Sequence, residues 1–135
     1  MTAGTLEQFL RARYEEEERV ARDAIAGAPG AVWGVMADDI EQVLTSQDRG
    51  TTHTPMVQFG ADDPVRLLTH VARHDPARVL RELEAKLALL EEHRTRDGGG
   101  CRTCREEAGP RSPCTTLRLL AVPSDHPGYD DSWRP

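Results

Sequence analysis

The stretch HRTRDGGGCRTCREEAGPRSPC, residues 93–114, contains all three cysteines of the chain and one of its five histidines. Cys101 and Cys104 have the Cys-x2-Cys spacing with which two thiolates bind one tetrahedral Zn²⁺. Cys114 supplies a third sulfur. His93 is the best candidate for the fourth ligand, because the three glycines between it and Cys101 let the chain fold back. The stretch therefore predicts one zinc ion held by these four side chains.

Such a site is predicted to be structural. Four protein ligands close the coordination shell, and closed zinc sites are structural rather than catalytic. Structural zinc contributes about 10–16 kcal/mol in small zinc-binding peptides, whereas a whole domain has a net stability of only about 5–15 kcal/mol. The metal is therefore expected to decide whether the C-terminal third of the chain folds.

Other interpretations of the three cysteines stay open. They are a redox-active Cys-x-x-Cys pair, a disulfide with one free thiol, and ordinary unpaired thiols. A thioredoxin-like motif follows a strand, and no obvious strand precedes Cys101. If His93 is not a ligand, an open coordination position makes a metal-dependent hydrolase the alternative function.

Two similar phrases precede this stretch, DPVRLL at residues 63–68 and DPARVL at residues 75–80. Each places Asp at a helix N-cap and Pro at the first helical position. They predict helices over 64–73 and 76–93 with a bend at His74–Asp75, so that residues 64–93 form a bent helix pair. His93 then ends the second helix.

The ends of the chain and the segment after the first helix complete the predicted fold. Residues 1–27 form an N-terminal helix, with Thr5 as the N-cap of a capping box. Residues 31–60 form a small β-meander, with a short helix over Asp39–Leu44 as the competitor. A zinc knuckle and a final helix occupy residues 93–121, with Ser112 as N-cap and Pro113 and Cys114 inside. The aromatic tail, residues 122–135, is expected to dock; a disordered end and a partner-binding segment are the alternatives.

Composition and charge restrict the class of protein. The chain has 135 residues and a net charge of −6, which fits one domain and argues against broad binding of nucleic acid. No apolar run approaches the length of a membrane span, and the beginning of the chain lacks the pattern of a secretory signal. We therefore expect a cytoplasmic protein that does not bind membranes, in which clustered cysteines bind metal.

Charge also varies along the chain. Residues 64–118 carry a net positive charge, and five arginines surround the knuckle: Arg94, Arg96, Arg102, Arg105 and Arg111. They make a nucleic-acid-binding protein the first alternative function, because zinc ribbons bind nucleic acid in this way. His70 and His74 have a metal-ligand spacing, but the predicted bend separates them and no His-Glu-x-x-His motif accompanies them.

Four stretches of the chain carry a resemblance to a known family. They are the opening LEQFLRARYEEEERVAR and the motifs HVARHDPARVLRELEAK, PCTTLRLLAVP and DHPGYDDSWRP. The chain resembles an actinobacterial and actinophage family of uncharacterised proteins, domain-of-unknown-function family 6221. In that family His93, Cys101, Cys104 and Cys114 match recurring positions, which implies a shared ligand set. Arg105 departs from the glycine that the family often has there. The resemblance implies no activity.

The sequence thus predicts a mainly α protein with a small β-meander (α+β), a zinc-stapled C-terminal helical region and a single domain over residues 1–135. No catalytic nucleophile is identifiable, and we expect binding rather than catalysis. The predicted function is that of a small zinc-stabilised interaction or regulatory protein. Its partner is a protein, with a homodimer suggested by the acidic first helix and the arginine-bearing middle of the chain.

Overall fold

The computed structural model describes residues 3–27, 30–37, 42–48, 51–58, 64–104, 113–122 and 126–135. It is mainly helical, as predicted. The described helices and strands are, in chain order, α1 Ala3–Gly27, β1 Val32–Ala37, β2 Gln42–Asp48, β3 Thr51–Gln58, α2 Pro64–Arg73, α3 Pro76–Glu92, α4 Thr115–Ala121 and the 3-10 helix Asp131–Trp133.

The chain divides into two compact units. Unit 1 contains residues 1–16 and 83–135, and unit 2 contains residues 17–82. Helices α1 and α3 each contribute residues to both. The expectation of a single domain stays a prediction.

Helix α1 follows the apolar stripe that predicts it. Leu6, Leu10 and Tyr14 are buried at four-residue spacing, which places them on one face. The glutamates at positions 15–17 are exposed, as expected for a solvated like-charge run. The prediction of Thr5 as N-cap is wrong, because the helix begins at Ala3 and Thr5 lies inside it. Helix ends commonly vary by one or two residues from the cap that a sequence indicates.

The three strands of unit 2 form the small antiparallel meander that the sequence predicts, in the order β1-β2-β3. Gly34 lies opposite the buried Thr45. A Cβ at Gly34 would stand 3.2 Å from the Thr45 hydroxyl, so glycine permits this close pairing. The register between β2 and β3 shifts after Leu44, and β3 contains Pro55, whose missing N–H is tolerated on an edge strand. The competing helix is excluded for residues 42–44, which lie in β2; residues 39–41 lie outside the described part.

The bend between α2 and α3 lies at His74–Asp75, as the second Asp-Pro phrase predicts. The Asp75 carboxylate accepts a hydrogen bond from the Arg78 backbone N–H at 2.7 Å, which is an N-cap contact. The Asp75 carboxylate also accepts a hydrogen bond from the backbone N–H of Trp33 at 3.3 Å. The same side chain therefore connects the start of α3 to β1. Asp63, the predicted cap of α2, lies outside the described residues.

We expect the substitution Asp75→Ala to destabilise the protein by about 1–2 kcal/mol, since it removes this cap and leaves the Trp33 N–H without its acceptor. Asp75→Asn keeps an acceptor oxygen and should cost less. Urea denaturation followed by circular dichroism measures the change. Asp23→Ala, at an exposed position of α1, is the matched control; an equal loss in both variants would contradict the assignment.

Unit 1 contains the end of α3, α4 and the tail. Leu90 on α3 and Leu117 and Ala121 on α4 are completely buried. The prediction for the start of α4 is wrong for the residues that the structure describes. The helix begins at Thr115 with Cys114 as its N-cap, so neither Pro113 nor Cys114 lies inside. Ser112 itself lies outside the described residues.

The described part of the tail docks on unit 1. The Trp133 ring is 5.0 Å from the Phe9 ring of α1, measured between centroids, and Trp133 is only 4% exposed. Tyr129 and His126 contact the same phenylalanine edge-on. Arg118 of α4 donates hydrogen bonds to the backbone carbonyls of Ser132 and Arg134. Tail, α1 and α4 therefore pack together within unit 1.

Candidate metal centre

His93 lies at the junction between α3 and a short hairpin. Its N–H donates to the Leu89 carbonyl at 3.0 Å, which completes the last turn of the helix. The chain then reverses, and Thr95 pairs with Cys101 in an antiparallel bridge. Backbone hydrogen bonds from Arg96 to Gly100 (2.9 Å) and from Arg102 to Arg94 (3.0 Å) flank the bridge. The hairpin thus returns Cys101 to the end of α3, next to His93.

The turn of this hairpin depends on its glycines. Gly98, Gly99 and Gly100 have φ angles of 90°, 89° and 83°, in the region that residues with a Cβ rarely adopt. Three consecutive glycines therefore permit a reversal that other residues would oppose. They act by their backbone conformation and not by supplying a ligand.

Two further contacts stabilise the hairpin, and no sequence pattern predicts either of them. The Thr103 hydroxyl donates to the Glu92 carbonyl, which is one of the unpaired carbonyls at the C-terminus of α3. The Glu7 carboxylate of α1 accepts from the Thr95 N–H at 2.8 Å. Because 88 positions separate these two residues, no local pattern indicates their contact.

Cys114 approaches from the start of α4. As the N-cap it has an extended conformation (φ −63°, ψ 161°), and its carbonyl accepts from the Arg118 N–H at 3.1 Å. The Arg118 guanidinium in turn donates to the Pro113 carbonyl at 2.9 Å. Both contacts hold the chain just before the helix. Cys114 is 3% exposed and Cys101 is 4% exposed, whereas Cys104 lies at the surface.

The four predicted ligands converge. One ligand atom from each of His93, Cys101, Cys104 and Cys114 lies within 4.8 Å of all the others. The sulfurs of Cys101, Cys104 and Cys114 are 3.5, 3.2 and 3.7 Å from the Nδ1 atom of His93. A tetrahedral zinc with ordinary Zn–S and Zn–N bond lengths separates a sulfur from a nitrogen by about 3.6 Å. The three sulfur–nitrogen distances are close to this separation, and these side chains could hold a metal ion.

All three cysteines are free thiols in this structure. The alternative of a disulfide with one free thiol is therefore not supported. Their proton affinities differ. Burial raises the pKa of Cys101, but the backbone N–H groups of Cys104 and Thr103 and the His93 ring outweigh burial and lower that pKa to about 7. The Cys101 thiol is therefore about half ionised at neutral pH.

The other two thiols hold their protons more tightly. Burial raises the pKa of Cys114 to about 12, and the neighbouring Cys101 sulfur adds to the increase. The Leu117 backbone N–H acts in the opposite direction and lowers the pKa of Cys114, but burial prevails. Partial desolvation and the neighbouring Cys101 likewise raise the pKa of Cys104. A metal that binds here must displace protons from Cys104 and Cys114.

The remaining candidates do not form a second centre. His70 and His74 are exposed, and their ring centroids are 4.8 Å apart. Within the described residues, no third His, Cys, Asp or Glu joins them in a group that could hold a metal.

Of the five arginines around the knuckle, the structure describes three. Arg94, Arg96 and Arg102 line a cavity of about 400 Å³ together with Thr95 and Asp97. Arg105 and Arg111 lie outside the described residues. As for membranes, none of the helices in the described ranges is both long enough and apolar enough to span a bilayer.

Fold and site define a mainly helical protein with a Cys3His cluster that could hold a metal ion. The model of a family of unknown function, DUF6221, matches residues 3–135, so the chain belongs to that family. Neither the comparison with curated proteins nor the comparison with solved structures gave a match. The resemblance to this family is thus confirmed, whereas the actinobacterial and phage origin stays a prediction; a family of unknown function implies no activity.

Proposed function

We propose that His93, Cys101, Cys104 and Cys114 bind one Zn²⁺ and that this ion stabilises a small binding protein. The convergence of three sulfurs on one imidazole nitrogen at 3.2–3.7 Å carries the proposal. Soft thiolates together with an imidazole in tetrahedral spacing favour zinc over the harder divalent cations. The ion joins the end of α3 to the start of α4 across 21 positions of sequence.

The proposed site is structural. Four protein ligands leave no coordination position for the water that a zinc hydrolase activates. Helix α4, which follows the ligand Cys114, also binds the tail, because Arg118 donates hydrogen bonds to the carbonyls of Ser132 and Arg134. We infer a role in binding a protein partner, for which Leu119 of α4 and Val122, its C-cap, are 56% and 54% exposed. Sedimentation equilibrium measures whether a second copy of the chain is this partner.

Calorimetric titration of the reduced, chelator-treated protein with Zn²⁺ tests the proposal. We expect one zinc per chain and, at about pH 8, the release of about two protons, because Cys104 and Cys114 are protonated there and Cys101 is not. Below about pH 7 Cys101 is protonated as well, so the number released from thiols rises to about three. Zinc affinity therefore falls as the pH falls, and falls more steeply below pH 7.

Buffers of different ionisation enthalpy separate the heat of proton release from the heat of binding. His93→Ala should weaken zinc binding by about 100-fold or more, whereas His70→Ala, a histidine outside the cluster, should leave it unchanged. A stoichiometry well below one, or zinc binding with no proton release at pH 8, would contradict the proposal.

A further inference from the structure

The hairpin that carries Cys101 has a second face. In the bridge between Thr95 and Cys101, Arg94 lies opposite Arg102 and Arg96 lies opposite Gly100. Side chains alternate between the two faces of paired strands. Cys101 contacts His93 on the face of the metal centre, and this alternation places the three arginines on the other face. We name Arg94, Arg96 and Arg102 the arginine face.

This arrangement is electrostatically unfavourable by itself. Like charges directly opposite each other on paired strands destabilise the pair, and Arg94 and Arg102 are such a pair. Arg94 has a carboxylate neighbour, Glu91, at 3.5 Å. Within the described part of the chain, neither Arg96 nor Arg102 has an ion-pair partner. An anion bound between them would offset the repulsion.

The cavity in front of this face suits a small oxyanion. It is an open cavity of about 400 Å³, and its lining carries three guanidinium groups against one carboxylate, Asp97. Guanidinium groups bind phosphate through parallel N–H···O bonds, and three of them match a tetrahedral anion better than the planar carboxylate that one alone would bind. The backbone hydrogen bonds of the hairpin hold the arginine positions in register before any ligand arrives.

We propose that the arginine face, Arg94, Arg96 and Arg102, is a binding site for a phosphate group. The phosphate comes either from free phosphate or from the phosphodiester backbone of a nucleic acid. The site lies on the opposite side of the hairpin from the metal ligands, so it requires the hairpin and makes no contact with the ion.

Nuclear magnetic resonance of the arginine Nε–H groups tests the site on the zinc-loaded protein, with two probes. Inorganic phosphate represents the free source, and a single-stranded oligothymidine of about twelve nucleotides represents the phosphodiester source. We expect saturable shifts at the arginine face with at least one probe. Binding of the oligonucleotide that is about tenfold or more tighter than that of phosphate assigns the nucleic acid as the source; comparable or tighter binding of phosphate assigns the free anion.

The triple variant Arg94→Ala, Arg96→Ala, Arg102→Ala should lower the affinity for the probe that binds by at least about tenfold. The matched control removes three exposed arginines elsewhere, Arg19→Ala, Arg73→Ala, Arg81→Ala, and should change affinity by less than about twofold. Equal weakening in both triple variants means that only net charge matters and overturns the proposal. So does a failure of both probes to saturate, or equally tight binding of succinate.

Zinc content is measured on every sample, which separates this inference from the metal proposal. A variant that keeps its zinc but loses phosphate binding supports the arginine face. If the triple variant loses its zinc, Arg96→Gln alone is compared, because the backbone bonds of Arg96 do not depend on its side chain. Unchanged phosphate binding in zinc-loaded Arg96→Gln overturns the role of that residue and with it the three-arginine site.

Discussion

The substitution Cys114→Ser is expected to lower the melting temperature of the zinc-loaded protein by about 10–20 °C, which for a chain of this length corresponds to about 3–5 kcal/mol. Serine is nearly isosteric with cysteine but does not supply the thiolate that the metal requires. Cys114 is the proposed ligand at the start of α4, and its sulfur lies 3.7 Å from the Nδ1 atom of His93. Without it the ion no longer connects the two helices, and α4 loses its link to the hairpin. Differential scanning calorimetry measures the change.

Chelation gives the sharpest control for this prediction. In excess chelator under reducing conditions, wild type and Cys114→Ser should melt within about 2 °C of each other. The difference in their stability is expected to come from metal binding, which chelator removes. Thr115→Ser, an exposed position next to the ligand, should melt like wild type with zinc present. A loss of stability in Cys114→Ser that persists undiminished in chelator would mean that the thiol contributes by packing alone.

The substitution Trp133→Ala should destabilise the protein by about 3–5 kcal/mol, the usual cost of removing a buried tryptophan side chain. Trp133 is 4% exposed and packs on Phe9 and Tyr129, with ring centroids 5.0 and 5.7 Å away. Its removal leaves a cavity against α1 and frees the tail. Chemical denaturation gives the magnitude, and limited proteolysis shows whether the tail becomes accessible.

Trp133→Phe is the matched variant, since it keeps an aromatic contact with Phe9 and should cost less than half as much. In a Trp33→Phe background the emission of Trp133 reports on the tail alone, because the chain has two tryptophans. We expect Trp133 in this background to show the emission of a buried indole. Removal of zinc from the same protein should shift that emission to longer wavelength. Cleavage of the tail at the same rate in wild type and Trp133→Ala would show that docking contributes little.

Much of the helical fold could be predicted from local chemistry. The Asp-Pro phrase at 75–76 predicts both the bend and the cap, and Asp75 makes the expected hydrogen bond to the Arg78 N–H. The convergence of the four candidate ligands could also be predicted, because their side-chain chemistry and spacing restrict what they can do together. Both are cases in which a few neighbouring residues determine the geometry.

The remainder depends on contacts between residues far apart in sequence. The ion pair between Arg11 and Glu91, which lowers the pKa of that glutamate, joins α1 to α3 within unit 1. No short pattern predicts it, nor the contact of Glu7 with Thr95. The start of α4 was predicted too early, because Cys114 adopts the extended conformation of an N-cap. The arginine face cannot be predicted as a geometric unit from local sequence, because the pairing of Arg94 with Arg102 depends on the bridge between Thr95 and Cys101.

X-ray absorption at the zinc edge of the protein as purified tests the central claim most directly, because it reports the ion and its nearest atoms together. The account predicts one zinc per chain, surrounded by three sulfurs at about 2.3 Å and one nitrogen at about 2.0 Å. A protein that carries no stoichiometric metal, or a zinc surrounded mainly by oxygen and nitrogen, would contradict it.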